Sequence, residues 1–266
     1  MSLDGSTLEV ADEAANARAF GYPGTQQGRT GYPQVRFTAL LEHGTHALFG
    51  VACAGYQESE VSLARQRVTH LKPGMLCLAD RGLAGFPLWQ AAWATGAHLV
   101  WRIPKHRKLP VGNRLADGSY LSRIAPAPAT QKTMTGRTEP IVVRVIDYHL
   151  PGVPGAEPID RLMTTVLDEK EAGAEALARL YHTRWTIETT LAELKTTLKS
   201  ADIVLRSKPT DLVRQEFYGL LLAHYAIRKL MWEAALTRDA PPERLSFKQA
   251  VNTVRRTLPA YGAIPP

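Results

Sequence analysis

The sequence lacks any long apolar run. No stretch approaches the roughly 18 uninterrupted apolar residues of a membrane-spanning helix, so no membrane span is expected. The first residues, Met1-Ser2-Leu3-Asp4, are not a basic segment followed by an apolar one, and no secretory signal is visible. Cysteine is scarce. The two present, Cys53 and Cys77, sit inside the apolar runs 49–54 and 75–79. They read as buried free thiols in a reducing compartment, and not as a disulfide or a zinc site. The eight histidines show no zinc-type spacing with cysteines, and there is no H-E-x-x-H. The glycine pattern of a phosphate-binding loop is missing too, as are internal repeats and low-complexity tracts.

What is present is a chain of 266 residues, long enough to bury a sizeable core as one large domain or one domain with an insertion. The net charge of +7 and the pI near 9.5 permit nucleic-acid binding without requiring it.

Apolar periodicity gives the element order. Residues 1–4 read as the tail of a strand running into Asp4-Gly5, and residues 6–33 read as loop. Alternation over 35–41 and the run 45–54 predict two strands, with His43-Gly44 as the turn. A helix is expected over 58–71, a buried strand over 75–79 ending in Asp80-Arg81-Gly82, a helix over 88–94 and a strand over 98–103. Residues 104–158, rich in Gly, Pro, Thr and basic residues, read as a β-rich insertion with strands near 120–124 and 141–148. Residues 161–167 resume core-strand texture. From Glu171 onward the chain reads as helix, including long helices over 211–235 and 247–258. The expected fold is α/β, a mixed sheet with flanking helices. Its parts are a first core segment (1–103), the insertion (104–158), and a second core segment with the C-terminal helices (159–266).

The most informative stretch is Tyr181-x2-Arg184-x3-Glu188-x6-Lys195. On one continuous helix at about 100° per residue these side chains fall within roughly 60° of one another. A carboxylate flanked by cations suits a divalent metal beside phosphates. The alternative is a solvated face laced with i,i+4 ion pairs. Two strands also end in an acid followed by glycine: Asp4 closes the first and Asp80 the fourth. Ligands gather near strand ends in such sheets. With Glu188 on a packed helix, the two aspartates form a candidate three-carboxylate site for two hard cations roughly 3.5–4 Å apart.

Taken together, Asp4-Gly-Ser-Thr-Leu, Leu78-Ala-Asp80-Arg-Gly and Tyr181-x2-Arg184-x3-Glu188-x6-Lys195 resemble the three motifs of DDE transposases of bacterial insertion sequences. The group is the insertion-sequence-four family with its Y-R-E-K signature, and the resemblance covers nearly the whole chain. It implies a ribonuclease-H-like fold with the β-rich insertion placed before the last catalytic helix. It also implies two Mg2+ or Mn2+ ions, cleavage and strand transfer at transposon ends on double-stranded DNA, a homodimer, and a cytoplasmic, nucleoid-associated protein. Asp4, Asp80 and Glu188 would be the catalytic metal ligands. Tyr181, Arg184 and Lys195 would contact phosphates. Only three residues precede Asp4, where the family carries a full strand and a DNA-binding region. The expectation is therefore a truncated chain with a frayed Asp4 and feeble cleavage. Its alternative is a non-catalytic remnant that binds DNA or poisons intact transposase.

The remaining candidates carry weaker signals. The run Arg102, Lys105, Arg107 and Lys108 reads as a DNA-backbone track or a solvated run. Arg137, Arg144, Arg206 and Lys208 are similar. Asp12 and Glu9 read as capping or loop residues, and Glu193 as solvent-exposed. Trp89, Trp93 and Trp185 read as packing residues rather than base-stacking platforms. Arg255 and Arg256 suit the end of the last helix.

Overall fold

A computed structural model describes residues 1–25, 28–29, 31–133, 139–149, 160–198 and 204–258. The first half of the chain holds β1 (Ser2–Glu9), α1 (Ala14–Phe20), the two-residue strands β2 (Gly24–Thr25) and β3 (Gly28–Arg29), β4 (Gln34–Leu41) and β5 (Leu48–Gly55). Then come α2 (Glu60–Arg67), β6 (Leu76–Ala79), α3 (Phe86–Trp93), β7 (His98–Arg102) and β8 (Tyr120–Ile124). The second half holds α4 (Pro128–Thr133), β9 (Ile141–Tyr148), β10 (Asp160–Thr164), α5 (Ala174–His182), α6 (Trp185–Ala192), α7 (Thr210–Thr237) and α8 (Phe247–Thr257). The chain divides into two compact units, Met1–Asp4 with Glu60–Trp185, and Gly5–Ser59 with Thr186–Pro266.

In the first unit β1, β6 and β7 are parallel neighbours, and β10, β9 and β8 follow in antiparallel order. The two strands expected within 104–158 are thus present as β8 and β9. Residues 134–138, including Arg137, and 150–158 lie outside the described residues. One face of this sheet packs Leu78, Val100, Ile146 and Leu162 against Leu177 and Tyr181 of α5. Trp89 of α3 meets Trp101 edge-on at 5.1 Å, and both are fully buried. Burying such apolar surface stabilises by about 25 cal/mol per Å², so the central strands read as near-continuous apolar runs.

Arg144 corrects the reading of a solvent-facing cation. It is fully buried in β9 and donates to Ser119 Oγ at 2.8 Å and to the carbonyl of Ala172 at 2.7 Å, with Asp117 as its ion-pair partner. Asp117 also accepts the Ala174 amide at 2.8 Å, which satisfies an otherwise orphaned donor at the start of α5. The buried arginine therefore fixes where α5 begins.

In the second unit β4 pairs antiparallel with β5 and lies beside β1. Its core joins Leu8, Phe20, Phe37 and Leu41 to Ile187, Leu191 and Phe217. Gly55 is required by packing, since a Cβ there would lie 2.8 Å from the Ala19 carbonyl oxygen and 2.9 Å from that of Phe20. Glu193 is paired with Arg228 rather than solvated, and its side chain is 17% exposed. Buried His224 lies 3.6 Å from Glu193, too far for a hydrogen bond, and burial lowers its pKa.

Further expectations are corrected by local bonding. β1 does not stop at Asp4 but runs to Glu9, and residues 6–33 include α1. Asp4 is not frayed: Leu3 is fully buried, and the Leu78 amide donates to the Met1 carbonyl at 2.9 Å. Trp93 and Trp185 are 47% and 56% exposed, so of the three tryptophans read as packing residues Trp89 alone lies in the core.

Replacing Arg144 with Met should destabilise the protein by about 3 kcal/mol, because buried carbonyls and Asp117 lose their donor. Denaturant titration measures this. Burial opposes ionisation of Asp117, but hydrogen bonds from Ser119 and Ala174 and the Arg144 charge outweigh it and hold the carboxyl below its usual 3.8. The stabilisation it gives is therefore complete above that usual value and is lost as pH falls through the lower folded value. Asp117→Asn should remove that part of the acid-induced loss.

Candidate active site

Parallel pairing places the two aspartates. Leu3 lies opposite Ala79 in the β1–β6 register, so Asp4 and Asp80 occupy the next step on neighbouring strands. Adjacent strands lie roughly 4.8 Å apart, and residues opposite each other in register share a face. Asp4 extends from within β1 and Asp80 from the end of β6. Both are partly buried.

The Tyr181–Lys195 stretch is not one helix, and the single-face arithmetic does not hold. α5 ends at His182, and the amides of Thr183 and Arg184 bond back to Leu180 and Tyr181 three residues earlier. The Thr183 hydroxyl donates to the Leu180 carbonyl at 2.7 Å, a local bond that competes with helix continuation. α6 starts at Trp185, and Glu193–Leu198 winds as a π-helix. Such segments are rare and frequently lie at functional sites. Tyr181, Arg184, Glu188 and Lys195 thus belong to four different local settings.

Four of the six motif residues assemble in the first unit. Arg184 Nη1 lies 3.1 Å from Asp4 Oδ2, with the arginine side chain 7% and the aspartate 19% exposed. A guanidinium this well buried holds a carboxylate strongly. The buried Tyr181 packs with the core, and its hydroxyl lies 3.5 Å from Asp80 Oδ1 and 3.4 Å from the Ala79 carbonyl. Burial first, and the Asp80 charge as well, raise the Tyr181 pKa, with Arg184 acting against them. The phenol stays neutral and available as a donor. Arg184 also lies over the Tyr181 ring, 5.9 Å from its centre.

The other two motif residues belong to the second unit. Glu188 stands in the first turn of α6, half-buried. Lys195 Nζ donates to Ser6 Oγ at 2.7 Å. Ser6 follows Asp4 by two residues in β1, and the period of two would have singled it out from the sequence.

The run 102–108 is partly tied inward. Arg102 pairs with Asp160 at 2.7 Å, and half-buried Arg107 donates to the Ala84 carbonyl at 2.8 Å. Burial lowers the Arg107 pKa. Arg161 holds the same loop through the Arg107 carbonyl at 3.2 Å and pairs with Asp147. Lys105 and Lys108 are exposed.

Carboxylate oxygens are donors for hard divalent cations, and a buried carboxylate needs a compensating positive charge. Arg184 supplies it to Asp4 here. Among the described residues no three His, Cys, Asp or Glu side chains are grouped as a ready metal cage. No helix among them is long and apolar enough to cross a membrane.

The mixed sheet with flanking helices is a ribonuclease-H-like fold. A structure of the piggyBac transposase synaptic complex with hairpin DNA is similar to it, with a TM-score of 0.53 over 99% of this chain and 54% of that one, at 11% identity. The family described as Transposase DDE domain matches residues 1–225, and the chain belongs to that family. Transposase InsG for insertion sequence element IS4 of Escherichia coli (strain K12) is 28% identical over 261 residues, 97% of this chain and 58% of the relative. The putative transposase InsZ of the same organism is 23% identical over 129 residues, 46% of this chain and 43% of its own. The chain thus spans about half the length of these curated relatives. The insertion-sequence-four resemblance read from the motifs stands.

Tyr181→Phe should cost no more than about 1 kcal/mol, because the hydroxyl contacts are long. Tyr181→Ala should cost about 3–5 kcal/mol, as for a large buried aromatic. Thermal unfolding of the two variants separates the packing of the ring from the work of its hydroxyl.

Proposed function

We propose that this chain is the catalytic domain of a DDE transposase that cuts double-stranded DNA at the ends of its element and joins them to a target. The observation that best supports this is Asp4 in register beside Asp80, with Arg184 and Tyr181 packed against them. Asp4, Asp80 and Glu188 would hold two Mg2+ or Mn2+ ions. When bound, these lower the pKa of the attacking water or 3′ hydroxyl and stabilise the departing oxygen. Arg184 exchanges its carboxylate partner for a phosphate oxygen, a geometry its planar fork suits. Lys195 and the Tyr181 hydroxyl fix the same strand, which turns collision into positioning. Lys105 and Lys108 extend the track along the backbone, and Arg102 and Arg107 shape the loop that carries them. The partition into a core, an insertion over 104–158 and a helical C-terminal segment belongs to this reading. So do a homodimer that pairs two element ends and action at the nucleoid in the cytoplasm.

The test is cleavage of duplex DNA carrying the element's ends, with Mg2+ or Mn2+. Nicks that need the cation and vanish in Asp80→Asn and Glu188→Gln are expected, together with loss of calorimetric Mn2+ binding in both variants. Lys195→Ala should reduce affinity for all sequences alike and lower the salt slope by about 0.9. DNA binding without cleavage under either cation would instead identify the non-catalytic remnant.

A further inference from the structure

The π-wound segment Glu193–Leu198 carries Lys195, yet nothing in its own sequence asks for that winding. It contains no glycine or proline. Glutamate, leucine and lysine are good α-helix formers, and only Thr196 and Thr197 are weaker. Left to itself the run would continue α6 as an ordinary α-helix, because π-turns are rare. A π-turn takes up one residue more than an α-turn, so the two windings aim Lys195 in different directions. The winding is therefore imposed from outside the segment.

The outside contacts sit at its two ends, all within the second unit. At the start Glu193 pairs with Arg228 of α7, their side chains 17% and 7% exposed. The Arg228 guanidinium lies over the ring of buried Phe247, the first residue of α8, 4.9 Å from its centre. At the finish Arg255 of α8 donates through Nη2 to the Leu198 carbonyl at 2.9 Å. The Leu198 side chain packs against Ile227, Met231, Phe247 and Val251. Between the two ends Leu194 is fully buried, and Lys195 reaches Ser6 Oγ at 2.7 Å.

We propose that Arg228 and Arg255 are positioning residues for Lys195: they hold the π-turn on α7 and α8 and so fix the place of its ammonium group. Arg228 works through the carboxylate it neutralises, and Arg255 through a backbone carbonyl. Neither has to touch DNA. What the ammonium meets in that place, a DNA phosphate, rests on the function proposed above.

Acylation of the DNA-free full chain with an amine-reactive reagent, read by mass spectrometry, tests the clamp. Arg255 is exposed, so Arg255→Met should stay folded by circular dichroism. Lys195 should then be labelled roughly tenfold faster, the equilibrium factor of one charge-assisted hydrogen bond, with the other lysines unchanged. Arg228→Met should act likewise, and Arg228→Lys, which keeps a charge opposite Glu193, should recover most of the protection. Arg256→Met is the control. It makes the same charge change one residue on, and Arg256 bonds to the Asn252 carbonyl of its own helix at 3.3 Å. DNA affinity gives a second readout: Arg255→Met should weaken binding in the native chain and not in Lys195→Ala. Unchanged labelling of Lys195 in both arginine-to-methionine variants overturns the proposal. So does equal acceleration at every lysine, the mark of general loosening, or in Arg256→Met. Loss of affinity in the Lys195→Ala background as well would make Arg255 a direct DNA contact and overturn its positioning role. If Lys195→Ala alone leaves DNA affinity untouched, the phosphate role of Lys195 fails, and the labelling still decides the clamp.

Discussion

The parallel pairing of β1 with β6 is the constraint on which the candidate site depends. A register with Leu3 opposite Ala79 puts two carboxylates at the same level of adjacent strands. Any slip by one residue would turn one of them to the other face of the sheet. Burial of Leu3, Leu78 and Ala79 makes such a slip costly, because it would move the apolar set of these strands toward solvent. The position of the acids therefore follows from the apolar residues around them. Two like charges so close are not self-stabilising, and the fold answers with Arg184 on Asp4 and the neutral Tyr181 hydroxyl near Asp80.

Arginines, one fully buried and one partly exposed, recur as the device that holds irregular backbone in the first unit. Arg144 gathers the carbonyls leading into α5, and Arg161 gathers those of the 105–107 loop. Five fixed donors on a planar group suit several carbonyls converging from a loop, where lysine would supply a point charge. Each arginine also has an aspartate, so the charge is compensated where it is desolvated. α5 begins at one such clamp and ends at Tyr181. Its start at the Arg144–Asp117 pair thereby sets where the tyrosine ring meets β6.

Much of this was legible in the sequence, and the failures share a cause. The short apolar run ending in Asp80, the strands at 120–124 and 141–148 and the long helix at 210–237 follow from periodicity and residue type. Asp4 was found as a residue but misplaced at a strand end, because glycine and serine after it look like a turn. They stay extended instead, beside β4. The helix break at Thr183 and the π-turn from Glu193 were not legible. Threonine's bond to a carbonyl three residues back and a one-residue change in winding leave no apolar signature. Arg144 and Glu193 were misread for a related reason. A charged residue reads as solvated until its partners, distant in sequence, are known.

α7 shows how one helix can answer to two environments. Its inner face carries His224 and Arg228 into the core, where Glu193 compensates the arginine and burial keeps the histidine neutral. Its outer face spends large aromatic and aliphatic side chains on solvent. A helix with one apolar stripe and one charged face is the economical solution for a surface element. This helix is apolar on both sides, a pattern suited to burial all round.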